Sequence, residues 1–295
     1  MGTMTTLVIA AAIFTFQNNF WVNLHQFLHT EANRRASGRA LQMDAELVEG
    51  YADLARRDLL RDRDLILLND ALSQIDGDTL PAAIDPAVAA ALMRAAPVYR
   101  DRFWPAHRQA NAAWIATMQP IADRLAPALT EQLAKAYHTA WPSRPILIDV
   151  SVTAGPFGGY TTLNGPPGFS AHSTITPDGD GSAGDMGLET IFHEASHAAG
   201  PSITRAIAAE SARQQLRPPA NLWHAVIFYT TGELVRRALG KTADSHYMPY
   251  AYRFSVYEKG MLPDRASLEK NWQPWLDGTV PFEEALRNLV RDVAR

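Results

Sequence analysis

Met186–Gly200, MGLETIFHEASHAAG, is the stretch around which the rest of the chain is read. It contains His193-Glu194-Ala195-Ser196-His197. On an α-helix, residues four apart share a face, one turn above each other. Two imidazoles so placed can close on one metal ion, and Glu194 then projects to where a water would bind. The neighbours Thr190, Ile191, Phe192, Ala195, Ser196, Ala198 and Ala199 are uncharged, and none is proline. The pattern predicts a buried, unbroken helix. Burying two histidines and a glutamate without a metal needs a compensating set of hydrogen bonds, because a polar side chain withdrawn from water is costly until it is paired.

Working upstream, the residues before this helix are rich in Gly and Pro, with strand-like islands at Tyr160–Leu163 and His172–Thr176. Ahead of them, Ile146–Val152 is a β-branched run bounded by turn residues and predicts a strand. A small sheet with long loops is therefore expected immediately before the histidine helix. The first half of the chain reads as helices: 20–36, 42–69, 87–96 ended at Pro97, 98–117, and one opened by Pro127 and running to Trp141. Its charged RRDLLRDRD segment reads as a solvated helix face. The apolar run Leu7–Ile13 is too short to span a bilayer. No Lys or Arg precedes it, so the basic region of a signal peptide is missing. Either a signal peptide was removed upstream, which would allow a secreted or periplasmic location, or Leu7–Phe16 is a buried first strand or helix, and the structural element is the expectation.

Downstream, Gly200-Pro201 predicts a helix stop, and Ser202 opens a helix to about Leu216. Asn221 caps an apolar helix that Gly240 closes, and a last helix spans Phe282–Ala294. The expected fold class is α+β and predominantly α-helical, with a small sheet ahead of the H-E-x-x-H helix. The expected organisation is a helical region over 1–144, a catalytic core over 145–240, and a helical region over 241–295 packed on that core.

The chain has 295 residues, 47% hydrophobic and 20% charged, enough to bury a large core. A net charge of −4 gives no electrostatic case for nucleic acid, and no segment reads as an integral membrane span. There are no cysteines, so disulfides, thiolate metal sites and cysteine nucleophiles are excluded, and any zinc takes nitrogen and oxygen ligands.

A catalytic zinc has three protein ligands and an open position. The extended pattern H-E-x-x-H-x-x-G-x-x-H matches at Gly200 and fails at Ile203. Glu210, His224 and Glu233 remain as candidates. Glu210 sits near Arg205 and Arg213 and reads as a solvated helix flank. His224 and Glu233 lie on one helix, nine positions apart, and so point to opposite sides of it. Glu233 sits inside an apolar helix, where a carboxylate is costly unless paired. Zinc is one partner; Arg236 or Arg237, at i+3 or i+4, is the other. Glu233 is the expected third ligand and His224 the alternative. A second histidine pair, His25 and His29, has no acid placed like Glu194 and reads as helix packing.

An H-E-x-x-H helix followed by a glutamate-bearing helix resembles the gluzincin group of zinc metallopeptidases, over about Asp185–Gly240. The resemblance implies a zincin-like core, one Zn²⁺ per chain and cleavage of peptide or protein substrates, with Glu194 as general base. It also implies an oxyanion-stabilising Tyr or His downstream. His246, Tyr247, Tyr250 and Tyr252 fall in that region, and Tyr250 is chosen to represent them. In the group, an acid four residues after the ligand glutamate often braces the first histidine; here that position is Arg237, and Glu189 is the available substitute. An extended peptide would pair with a sheet edge offered by Tyr160–Leu163 or His172–Thr176. The rival expectations are a zinc hydrolase of a non-peptide amide or ester, and a metal-binding scaffold without turnover. Glu194 favours turnover, because a structural zinc site closes with four ligands and has no use for that carboxylate.

Overall fold

The sheet ahead of the histidine helix takes one of its strands from the far end of the chain. The computed structural model describes residues 12–155, 158–240, 247–259 and 262–294. Strands β1 (Phe14–Gln17), β2 (Ile146–Val150), β3 (Gly159–Leu163) and β4 (Ala171–Ile175) form one sheet in the order β1-β2-β4-β3. β1 and β2 are parallel, as are β2 and β4, while β3 runs antiparallel to β4. β1 overlaps the end of the segment expected to be a buried first element; residues 7–11 of that segment lie outside the described residues. Side chains alternate along a strand. Ile146, Ile148 and Val150 of β2 accordingly enter one core, while Asp149 faces the other way.

Helices α1 (Phe20–Ala36), α2 (Ala45–Glu49), α3 (Arg63–Ser73) and α4 (Pro86–Arg102) share a core built on Trp21, Leu24, Leu28, Leu65, Leu92 and Tyr99. The other core lies on the second face of the sheet. It holds α5 (Trp104–Ala136), α6 (Asp185–Ser196), α7 (Gly200–Arg213) and α8 (Leu222–Ala238), with residues of α9 (Tyr250–Arg253), α10 (Arg265–Asn271) and α12 (Phe282–Val293). Half-buried Trp275 and Leu276 of α11 (Gln273–Leu276) pack against it. The cores do not divide at residue 144, since α5 belongs with the C-terminal elements and β1 is stitched into the sheet. The α+β, mainly helical class holds, and among the described residues no helix is long and apolar enough to cross a membrane.

Two readings of the helical half need correction. The expected helix over 42–69 is broken into α2, a 3₁₀ turn at Ala52–Leu54, and α3. Asp62 caps α3 through Asp64 N and Leu65 N and also binds Arg57, so the charged run closes a loop instead of lining a helix. Conversely, Pro97, Pro120 and Pro127 lie inside α4 and α5 and do not end or start them. A proline removes one helical hydrogen bond. The packing of α5 along the core, from Trp114 to Ala136, outweighs that loss.

The two halves meet across a polar seam. His172 of β4 binds Asp149 of β2 at 2.8 Å and Asp70 of α3 at 2.8 Å, all largely out of water. Beside it, Gln26 joins Asn69 to the Tyr160 hydroxyl, and Asn69 donates to Thr174. Burial alone would lower the His172 pKa, but the two aspartates outweigh it and raise it from 6.5 to about 9. A histidine raised in the folded state stabilises fully below its unfolded pKa, and that stabilisation is lost as pH rises through the folded one. The melting temperature should therefore fall between about pH 7 and 10. His172→Gln should melt lower at neutral pH and lose most of that slope; a variant with the wild-type slope would remove His172 as its cause.

Candidate metal centre

α6 starts where the glycine-rich loop turns in. Gly184 adopts φ 54° at the N-cap, and Asp185 sits in the first turn. Trp114 Nε1 donates to Ser182 O at 2.7 Å, and Thr190 Oγ1 donates to Gly181 O at 2.9 Å, fixing the loop against α5 and α6. A Cβ at Gly187 would lie 2.5 Å from Ser182 O, so only glycine permits this approach. Leu188, Ile191, Phe192 and Ala195 are fully buried, as the sequence pattern predicts. The helix then tightens into a 3₁₀ turn, His197–Ala199, and continues as α7 from Gly200. Gly200-Pro201, expected as a helix stop, instead opens α7, with Pro201 in its first turn, where its missing N–H costs nothing.

His193 and His197 point to one place, and His224 at the start of α8 points there too. The three offer ring nitrogens within 4.8 Å of one another. Nε2 of His193 lies 3.3 Å from Nε2 of His197 and 3.4 Å from Nε2 of His224. Two nitrogens bound at about 2.05 Å to a tetrahedral zinc are themselves about 3.3 Å apart. Burial, and for His193 and His197 the charge a neighbouring imidazolium would add, hold the rings neutral: His197 is lowered to about 3, His224 to about 4, and His193 well below its ordinary value. Neutral imidazoles are the form that coordinates metal. His193, buried, and His197 and His224, half-buried, thus form a group that could hold a metal ion.

Glu233, the expected third ligand, is not in this group. Two and a half turns along α8 from His224, its carboxylate accepts from Arg236 and, at 3.1 Å, from the Tyr252 hydroxyl. The ion pair weighed against zinc is the partner it takes, and His224, the alternative, supplies the third nitrogen. Glu210 is bound by Arg213 and Gln214. His25 and His29 pack in the helical half, with His25 against Tyr51.

Glu194 lies buried on α6, and its Oε2 accepts from Thr161 Oγ1 at 2.7 Å. Burial outweighs that bond and raises its pKa to about 7. An aromatic wall surrounds the rings: Phe228 lies 4.0 Å from His193, Trp223 stacks 4.9 Å from His224, and Tyr250 stacks 6.0 Å from Phe228. Burial, then the charges of Glu194 and Glu189, push the Tyr250 phenol up, which keeps it protonated. Glu189 does not brace His193. It accepts from the Tyr247 hydroxyl and from Tyr250 N at 2.9 Å, and so pins the Tyr247–Tyr250 segment beside the site. His193 Nδ1 is buried without a partner among the described residues. Tyr247 and Tyr252 have their hydroxyls on Glu189 and Glu233, and His246 lies outside the described residues.

No protein-family model, curated protein or solved structure matches the chain. The reading of the site therefore rests on its own geometry. In that geometry β3 is a sheet edge beside α6, whereas β4, also considered as an edge, is paired on both sides and has none to offer. Two features carry no signal in the sequence. His172 stands alone until folding brings Asp70 and Asp149 to it, and Thr161 meets Glu194 only through the strand register.

Proposed function

We propose that this chain is a zinc hydrolase that cleaves peptide bonds, of a zincin-like kind, with His193, His197 and His224 as the residues that hold one Zn²⁺. The observation that carries the proposal is the convergence of three imidazole nitrogens, two of them from the chain segment that also carries the buried Glu194. Zinc, when bound, polarises a carbonyl and brings the pKa of a water toward neutrality. Glu194, at a pKa of about 7, is poised to take a proton from the attacking water and give it to the leaving amine. Tyr250, protonated and stacked on Phe228, is the candidate donor to the oxyanion. β3 is the last strand of the sheet and lies beside the helix that carries Glu194, and an extended peptide adding to it as a further strand would gain main-chain hydrogen bonds. That edge favours a peptide over a small amide or ester, which has no backbone to pair with it.

The test is metal dependence. Dialysed protein should take up about one zinc per chain, its hydrolysis of a mixed peptide pool should vanish on chelation, and added zinc should restore it. Protein that binds no zinc, or hydrolysis that survives chelation, would sink the proposal.

A further inference from the structure

The hydroxyls of Thr161 on β3 and Ser173 on β4 are buried next to Glu194 and directly opposite each other in the sheet. Thr161 Oγ1 is 2.7 Å from Glu194 Oε2 and 2.9 Å from Ser173 Oγ. An ionised carboxylate only accepts, so Thr161 donates its single proton to Glu194. Ser173 must then donate to Thr161, and the chain runs Ser173 to Thr161 to Glu194. Two positions earlier on the same strand, Gly159 presents no side chain, and a Cβ there would lie 3.1 Å from Glu194 Oε1. Successive odd positions of β3 face the same way. One of them therefore grips Oε2, and the other leaves room around Oε1, which has no donor among the described residues.

We propose that Thr161 is a positioning residue: it anchors Oε2 of Glu194 and leaves Oε1 as the oxygen that receives and releases the proton. The role in turnover rests on the hydrolase reading above; the anchor itself does not. When the water O–H bond breaks, the new O–H bond forms at Oε1, because Oε2 is already met by the Thr161 hydroxyl proton. The proton leaves from the same oxygen to the amine. Removing the anchor lets the carboxylate rotate and makes the two oxygens equivalent. Ser173 acts one step further back by fixing the direction of the Thr161 hydroxyl.

The test uses protein labelled with ¹³C at the glutamate side-chain carboxyl. The Glu194 resonance is identified as the one missing in Glu194→Gln. Thr161→Val, which keeps the shape and removes the hydroxyl, should move that resonance, and Thr161→Ser should return it to its wild-type position. With zinc uptake unchanged, Thr161→Val should lower kcat by about 10–100-fold with KM nearly constant, and Thr161→Ser should recover it. If Thr161→Val does not fold, Ser173→Ala carries the test, with a smaller displacement and a smaller kcat loss in the same directions. A resonance unmoved by the removal of either hydroxyl, or an unchanged kcat, overturns the proposal. If Glu194→Gln itself leaves hydrolysis intact, the hydrolase reading and the role in turnover fall together, and the anchor is then judged by the resonance alone.

Discussion

Glu194→Gln should keep its zinc and lose hydrolysis by about 10²–10⁴-fold, the usual contribution of a general base. The substitution preserves volume, and the amide oxygen can still accept from Thr161, so the pocket and the histidines stay where they are. What is lost is an oxygen able to take a proton. Zinc content by atomic absorption and kcat against a peptide substrate read the two halves separately. Zinc retained with activity gone is the expected pair. Full activity in the variant would mean that Glu194 is not the base, and loss of zinc would mean that the substitution disturbs more than proton transfer.

His224→Ala and Glu233→Ala should have opposite effects. His224→Ala removes one of three converging nitrogens, and zinc affinity should drop by well over about 100-fold, more than the loss of a residue that merely orients a ligand. The fold should survive, since His224 is half-buried and the α8 core residues are untouched. Glu233→Ala should leave zinc affinity within a few-fold. It should instead cost stability, by about 2–4 kcal/mol, because Arg236 is left largely buried without its carboxylate and the Tyr252 hydroxyl loses its acceptor. Competition with a metallochromic chelator and urea denaturation measure the two effects. Zinc lost in Glu233→Ala and kept in His224→Ala would restore the glutamate as ligand.

Part of the contrast between His224 and Glu233 is legible in the sequence. Local periodicity places α6, β2 and the two histidines, because there the apolar stripe at helical spacing and the β-branched run between turn residues agree with the burial the fold imposes. The opposite facing of His224 and Glu233 follows from the same helical geometry. Choosing between them does not, because Glu233 has two possible partners in the sequence, and only the fold shows that Arg236 and Tyr252 occupy it. Pro127 misleads for a similar reason: a local rule predicts a helix start, and packing along α5 overrides it. The Thr161–Glu194 contact and the Asp70–His172–Asp149 seam are invisible because each joins side chains of segments that only the tertiary fold brings together.

The placement of β1 has a consequence for the order of assembly. Phe14 pairs with Ile146, and all of α1–α5 lies between the two strands. A chain emerging from its N-terminus must hold β1 unpaired until the whole helical half has been made. Contacts so distant in sequence form slowly, because a long loop must close before they return any energy. The helical half has its own core and can collapse first. β1 can close onto β2 only after that, whereas β3, β4 and α6 meet over much shorter separations in the chain. Until β1 docks, β2 carries an open apolar edge of the kind that invites pairing with another chain.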